Sequence, residues 1–152
     1  MSELTYRFAE EADLPVVVGM LADDDIAGHR EHSASLVAPE YGKAFADMMR
    51  STFNRLLLAE SGGEIVGVLQ LTFIPGLTRR GATRAQIEGV RVKSTVRGKG
   101  IGSALICRAI QEAKSAGCSV VQLTSDKRRP RAHLFYRRLG FHQSHEGFKL
   151  EL

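Results

Sequence analysis

Two stretches of this 152-residue chain hold residue types at spacings that could do chemistry. The first is Arg97-Gly98-Lys99-Gly100-Ile101-Gly102-Ser103. It lies between an apolar run ending at Val92 and the most regular amphipathic run in the chain. Glycines at a strand-to-helix turn let the backbone approach a ligand and leave several N–H groups exposed. The helix dipole adds about half a positive charge at that point. With the charges of Arg97 and Lys99, the segment suits a pyrophosphate. Spacing tells the known phosphate loops apart. Gly-x-x-x-x-Gly-Lys-Ser/Thr is absent. Glycines at 98, 100 and 102 do not fit Gly-x-Gly-x-x-Gly. Arg97, Gly100 and Gly102 match Arg/Gln-x-x-Gly-x-Gly/Ala in full.

The second stretch, one helix and one strand further on, is Ala132-His133-Leu134-Phe135-Tyr136-Arg137-Arg138-Leu139-Gly140-Phe141. It fits Ala-x-x-Phe-Tyr-x-x-x-Gly-Phe. Two motifs in this order resemble the GNAT N-acetyltransferase superfamily, closely over 85–141 and over the N-terminal half only in the order of elements. The resemblance implies acetyl-CoA as co-substrate and transfer of its acetyl group to an amine. It implies that Val90, Arg91 and Val92 hold the pantetheine and orient the thioester carbonyl. Arg97, Gly98, Lys99, Gly100, Ile101, Gly102 and Ser103 would hold the pyrophosphate, with Phe135 and Arg138 also at the coenzyme. Tyr136 matches the family's general acid. One departure is Arg129, which stands where the family often has an Asn that bonds the pantetheine arm. The basic run Lys127-Arg128-Arg129-Pro130-Arg131 offers either a site for the coenzyme's 3′-phosphate or a solvated loop.

Glu88 is the candidate base. On a regular strand it shares a face with Gln86, Val90 and Val92, near the pantetheine. A carboxylate titrating near 4 needs burial or a relaying water to serve. The alternative is an exposed carboxylate that attracts a cationic amine. The acceptor pocket is expected from residues 23–49, with Asp25, His29 and Tyr41 as candidates. Asp23-Asp24-Asp25 is either an attractor for an ammonium group or a helix-end turn. Arg79, Arg80 and Arg84 could pair with an anionic acceptor, or form a solvated loop. The tail, with Ser144-His145, Phe148 and Leu152, is similar to that of the aminoalkylphosphonate N-acetyltransferases, which implies a small primary amine, one that could bear an anionic group.

The elements that must position these residues follow from periodicity and turn signals. Strands are predicted at 4–9, 54–60, 64–73, 85–92, 119–124 (buried) and 145–150. Helices are predicted at 11–22, 39–50, 100–116 and 131–139, the last two stopped by Gly117 and Gly140. The order gives an α+β fold, a mixed sandwich rather than a βαβ repeat. By resemblance it is a mostly antiparallel twisted sheet flanked by helices, with a splayed strand pair holding coenzyme A. The length suits one domain over 1–152.

Composition is 43% hydrophobic and 25% charged, with a net charge of +4. The surplus favours a polyanionic partner, a phosphorylated cofactor or a nucleic acid. No helix-turn-helix, zinc-finger or RNA-binding aromatic motif supports nucleic acid. No window approaches the roughly 20 apolar residues of a membrane span. The polar, acidic start does not look like a signal peptide. Two cysteines without a pairing pattern point to the cytoplasm, and both Cys107 and Cys118 are expected to be packing residues. His29 and His32, like His142 and His145, have helical spacing but no third ligand, so no metal is expected. Peptide acetylation and a non-catalytic coenzyme A sensor are the other readings. A homodimer is analogy alone.

Overall fold

A computed structural model describes residues 3–24 and 38–152. The chain divides into two compact units, 1–122 and 123–152. In the first, β1 (Thr5–Phe8) leads through a turn of 3-10 helix (Glu11–Asp13) into α1 (Leu14–Ala22). Then come α2 (Pro39–Met49), β2 (Asn54–Ser61), β3 (Glu64–Pro75), a one-turn segment α3 (Thr78–Gly81), β4 (Thr83–Val92) and α4 (Ile101–Ser115). Strand β5 (Val120–Leu123) lies in this unit but for its last residue, and α5 (Pro130–Arg138) lies in the second. The helix predicted from 11 begins as 3-10 because the second residue of α1 is Pro15, which has no N–H to give a preceding carbonyl.

The sheet runs β1-β2-β3-β4-β5. The first three pairings are antiparallel: Phe8 opposite Leu57, Leu57 opposite Leu69, and Leu71 opposite Ile87. Ser119 N–H donates to the Thr83 carbonyl, and Gln122 Nε2 to Gln86 Oε1. The two contacts advance together along both strands, so β5 runs parallel to β4. It stops one residue past Gln122, and β4 continues beyond it from Glu88 to Val92.

Cross-strand partners share a face, so the register sorts the core. One face carries Leu57, Ala59, Leu69, Leu71, Ala85 and Ile87. Helix α4 covers it with Ile101, Leu105, Ile106, Ala109 and Ala113, all 2% exposed or less. These are the apolar positions of the amphipathic run predicted as a helix at 100–116. The approach is close at Gly67. A Cβ there would stand 3.3 Å from Leu105 Cδ2 and 3.4 Å from Ile101 Cγ2. The other face puts Leu58 and Val68 against Leu14, Val17 and Met20 of α1 and Phe45 of α2.

Two expectations are corrected. No strand forms at 145–150. Phe148, Leu150 and Leu152 are almost fully exposed, so the alternation there has no apolar face to bury. Strand β5 is half-buried rather than buried.

Candidate active site

Helix α4 begins where the sequence places it. Gly98 has φ 78° and Gly100 φ 80°, the left-handed region that favours glycine. A Cβ on either would meet nothing within 4 Å, so the backbone angle, not crowding, requires glycine here. Gly100 is the N-cap, and no side chain caps the helix. The N–H groups of Ile101, Gly102 and Ser103 therefore lack an intrahelical acceptor and a capping oxygen. An uncapped first turn approached through open glycines fits a pyrophosphate. Lys99 is exposed beside it. Arg97 is not simply held out to a ligand. Its Nε donates to the Val92 carbonyl at 3.2 Å, and Nη2 to Asp23 at the carbonyl (3.2 Å) and Oδ2 (3.4 Å).

Strand β4 contains the feature that periodicity hides. Val68 is opposite Arg91 and Gln70 opposite Glu88, so Leu69 faces two residues, Gly89 and Val90. This is a β-bulge, with Gly89 at φ 59°. The extra residue inverts the alternation. Glu88 does not share a face with Val92 as a regular strand would have it. Glu88 and Arg91 stand on the α1 side, with Gln70 and Val68. Glu88 is exposed, so it is not a buried carboxylate and would work in contact with water.

Arg91 follows the bulge. Its Nη2 lies 2.5 Å from Asp24 Oδ2, with the two side chains 20% and 3% exposed. Nη1 donates to the Val90 carbonyl at 2.8 Å. Of the aspartate run, Asp24 thus neutralises Arg91 and Asp23 holds Arg97. Both carboxylates stand at the negative end of the α1 dipole, an unfavourable place that the two guanidinium groups offset. Asp25 and His29 lie outside the described residues. Tyr41 is half-buried on α2. Arg79 and Arg80 are exposed in α3 at φ 53° and 61°, a left-handed pair costing about 1 kcal/mol or more each.

In the second unit, Tyr136 is half-buried. Its ring meets Phe135 edge-on at 5.1 Å and Phe141 at 5.8 Å. Phe141 N–H donates to the Tyr136 carbonyl and Gly140 N–H to that of Arg137, with Gly140 at φ 90°. That is a Schellman cap with its apolar contact. The Tyr-x-x-x-Gly-Phe spacing therefore has a physical reason: the cap presses Phe141 onto the tyrosine ring. Arg138 is exposed. The basic run is partly neutralised, because Arg128 pairs with Asp126 at 2.7 Å and drives that carboxyl well below its usual range.

The two cysteines differ. Cys118 is half-buried, and burial raises its thiol pKa; Cys107 is exposed on α4, contrary to the packing role expected. The apolar positions of α4 sit on its sheet side, which leaves Cys107 outside. Among the described residues no three metal-ligating side chains gather, and no helix is long and apolar enough to cross a membrane.

The geometry can be set beside known proteins. The chain is 33% identical to glucosamine 6-phosphate N-acetyltransferase of Trypanosoma brucei brucei, over 99% of this chain and 97% of that one. It is 36% identical to aminoalkylphosphonate N-acetyltransferase of Salmonella typhimurium, over 60% of this chain and 58% of that one. A crystal structure named as a transcriptional regulator from Bacillus halodurans C-125 is 49% identical, with a TM-score of 0.95 over 99% of this chain and 100% of that one. The model of the acetyltransferase (GNAT) family matches residues 20–141. The two motifs, the uncapped helix and the bulged strand lie within that match, and the chain belongs to this family: it is an acetyltransferase that uses acetyl-CoA.

Proposed function

We propose that the chain moves the acetyl group directly, in a ternary complex, to the primary amine of a small molecule bearing an anionic group. The observation that carries the donor half is the uncapped start of α4 behind two left-handed glycines. The acceptor half is supported by the two curated relatives. Their names specify glucosamine 6-phosphate and aminoalkylphosphonates, small amines that each carry a phosphorus-centred anion. The free cysteines fit a cytoplasmic setting.

Bound acetyl-CoA supplies an activated thioester. The N–H groups of Ile101, Gly102 and Ser103, with Arg97 and Lys99, offset the pyrophosphate charge. Backbone groups of Val90, Arg91 and Val92 hold the pantetheine and donate to the carbonyl oxygen as it gains charge. Glu88 receives, directly or through water, the proton the amine loses. Tyr136 gives its phenolic proton to the sulfur as the carbon–sulfur bond breaks.

Thiol release with acetyl-CoA and a panel of amines tests this. Glucosamine 6-phosphate or an aminoalkylphosphonate should be turned over, and Tyr136→Phe should lower kcat about 10²-fold with the acetyl-CoA KM little changed. Release with peptides alone would replace the small molecule by a protein acceptor. The name of the Bacillus structure favours a second reading, DNA binding; fluorescence anisotropy with duplex DNA at physiological salt checks it.

A further inference from the structure

The sheet face that α1 and α2 cover changes character part-way along. Where Leu58 and Val68 lie it is apolar and buried. Below the bulge the same face carries Asn54, Gln70, Thr72, Gln86 and Gln122, with Glu88 at its upper edge. The register fixes this array: Asn54 is opposite Thr72, Thr72 opposite Gln86, and Gln70 opposite Glu88. The side chains are tied into two groups. Asn54 Oδ1 accepts from Gln70 Nε2 at 3.0 Å and from Thr72 Oγ1 at 3.2 Å. Gln86 Oε1 accepts from Gln122 Nε2 at 2.7 Å.

A sheet face merely turned to solvent favours charged side chains and threonines that water satisfies. Four of these positions are primary amides, and all but Gln122 and Glu88 are half-buried. A primary amide carries both donors and acceptors, and each of these uses only one half on a neighbour. Among the described residues, Asn54 Nδ2, Gln70 Oε1, Gln86 Nε2 and Gln122 Oε1 have no side-chain partner. Four strands about 4.8 Å apart make the array about 14 Å wide, and one same-face step along a strand adds about 7 Å. That is the footprint of one or two sugar rings.

We infer that this amide array is the floor of the acceptor site and that the acceptor is a polyhydroxylated primary amine, of the amino-sugar or amino-polyol kind. Hydroxyl groups both donate and accept, so they match the alternating free halves of the amides. Glu88 at the edge nearest the bulge takes the ammonium end. The inference rests on the small-amine reading above and adds the recognition chemistry that reading leaves open.

The test compares D-glucosamine with cyclohexylamine, ring amines that differ chiefly in their hydroxyl groups, with 2-aminoethylphosphonate as a third acceptor. Wild type should favour glucosamine over cyclohexylamine by at least about tenfold in kcat/KM. Gln70→Leu and Gln86→Leu should each shrink that ratio to within about threefold, with the acetyl-CoA KM and the Tm little changed. Gln122→Leu, at an exposed position, repeats the test where folding is not at stake. Equal use of cyclohexylamine, or an unchanged ratio in all three variants, overturns the inference. Turnover of 2-aminoethylphosphonate but of neither glucosamine nor glucosamine 6-phosphate would also overturn it while leaving the small-amine reading standing. Turnover of none of these four amines overturns both.

Discussion

Single residues shape the proposed donor site through backbone angle and local partners. Gly98 and Gly100 are left-handed with open space around them, so alanine there is strained but not crowded. Gly100→Ala should cost about 1 kcal/mol of stability and weaken acetyl-CoA binding more than Gly98→Ala, because Gly100 sets the angle of the first α4 turn. Thermal unfolding and titration calorimetry check this. Asp13 makes a different demand. Arg7 donates to both its oxygens, at 2.7 and 2.9 Å, and this lowers its pKa. A lowered carboxylate stabilises the fold fully above the unfolded value near 4, and that contribution is lost as pH falls through the folded value. Asp13→Asn should therefore flatten stability against pH below about 4 and leave the slope near 7 unchanged. The glycines were legible in the sequence because a helix start demands them locally. The partners of Arg97 were not, since Asp23 lies 74 positions away.

Elements are held in place by pairs that cross between them. Asp24 lies just past the end of α1 and Arg91 sits on β4, with side chains 3% and 20% exposed. Asp24→Asn removes this charge from beside the Arg91 guanidinium and should cost about 1–3 kcal/mol, whereas Asp24→Asn with Arg91→Gln should recover part of it; denaturant titration measures both. Gly67 is a second joint. Its alanine variant must push Leu105 by a few tenths of an ångström, which should cost about 1 kcal/mol and tilt the α4 start proposed to hold the pyrophosphate. Element positions were largely readable, because amphipathic runs such as 100–116 have one dominant period. The bulge was not, because one added residue leaves the composition of a strand unchanged. The expected strand at 145–150 failed for a related reason: alternation states a pattern, and only a partner makes it a strand.

For the molecule as a whole, the reading from sequence was best where function imposes spacing and poorest where long-range packing decides. The two motifs led to the family, while the amide array, scattered over four strands, has no linear signature. Binding should appear globally as well. Acetyl-CoA at a hundred times its dissociation constant should stabilise the fold by about 2.7 kcal/mol, and removing its 3′-phosphate should lessen the shift if Lys127, Arg129 or Arg131 engages it. Differential scanning fluorimetry with acetyl-CoA and its dephospho form reads this directly.

The bulge in β4 works as a dislocation does in a lattice. Ahead of it, even-numbered side chains such as Gln86 and Glu88 look toward α1; behind it, odd-numbered Arg91 does. A perfect strand would split these groups between two layers, and the slip gathers them into one. A strand of the same sequence paired residue for residue, with Gly89 kept in the ladder, would rotate every later side chain by half a turn. Arg91 would then be driven into the apolar layer under α4, far from Asp24. The more regular sheet would be the less stable one, with Glu88 and Arg91 on opposite sides.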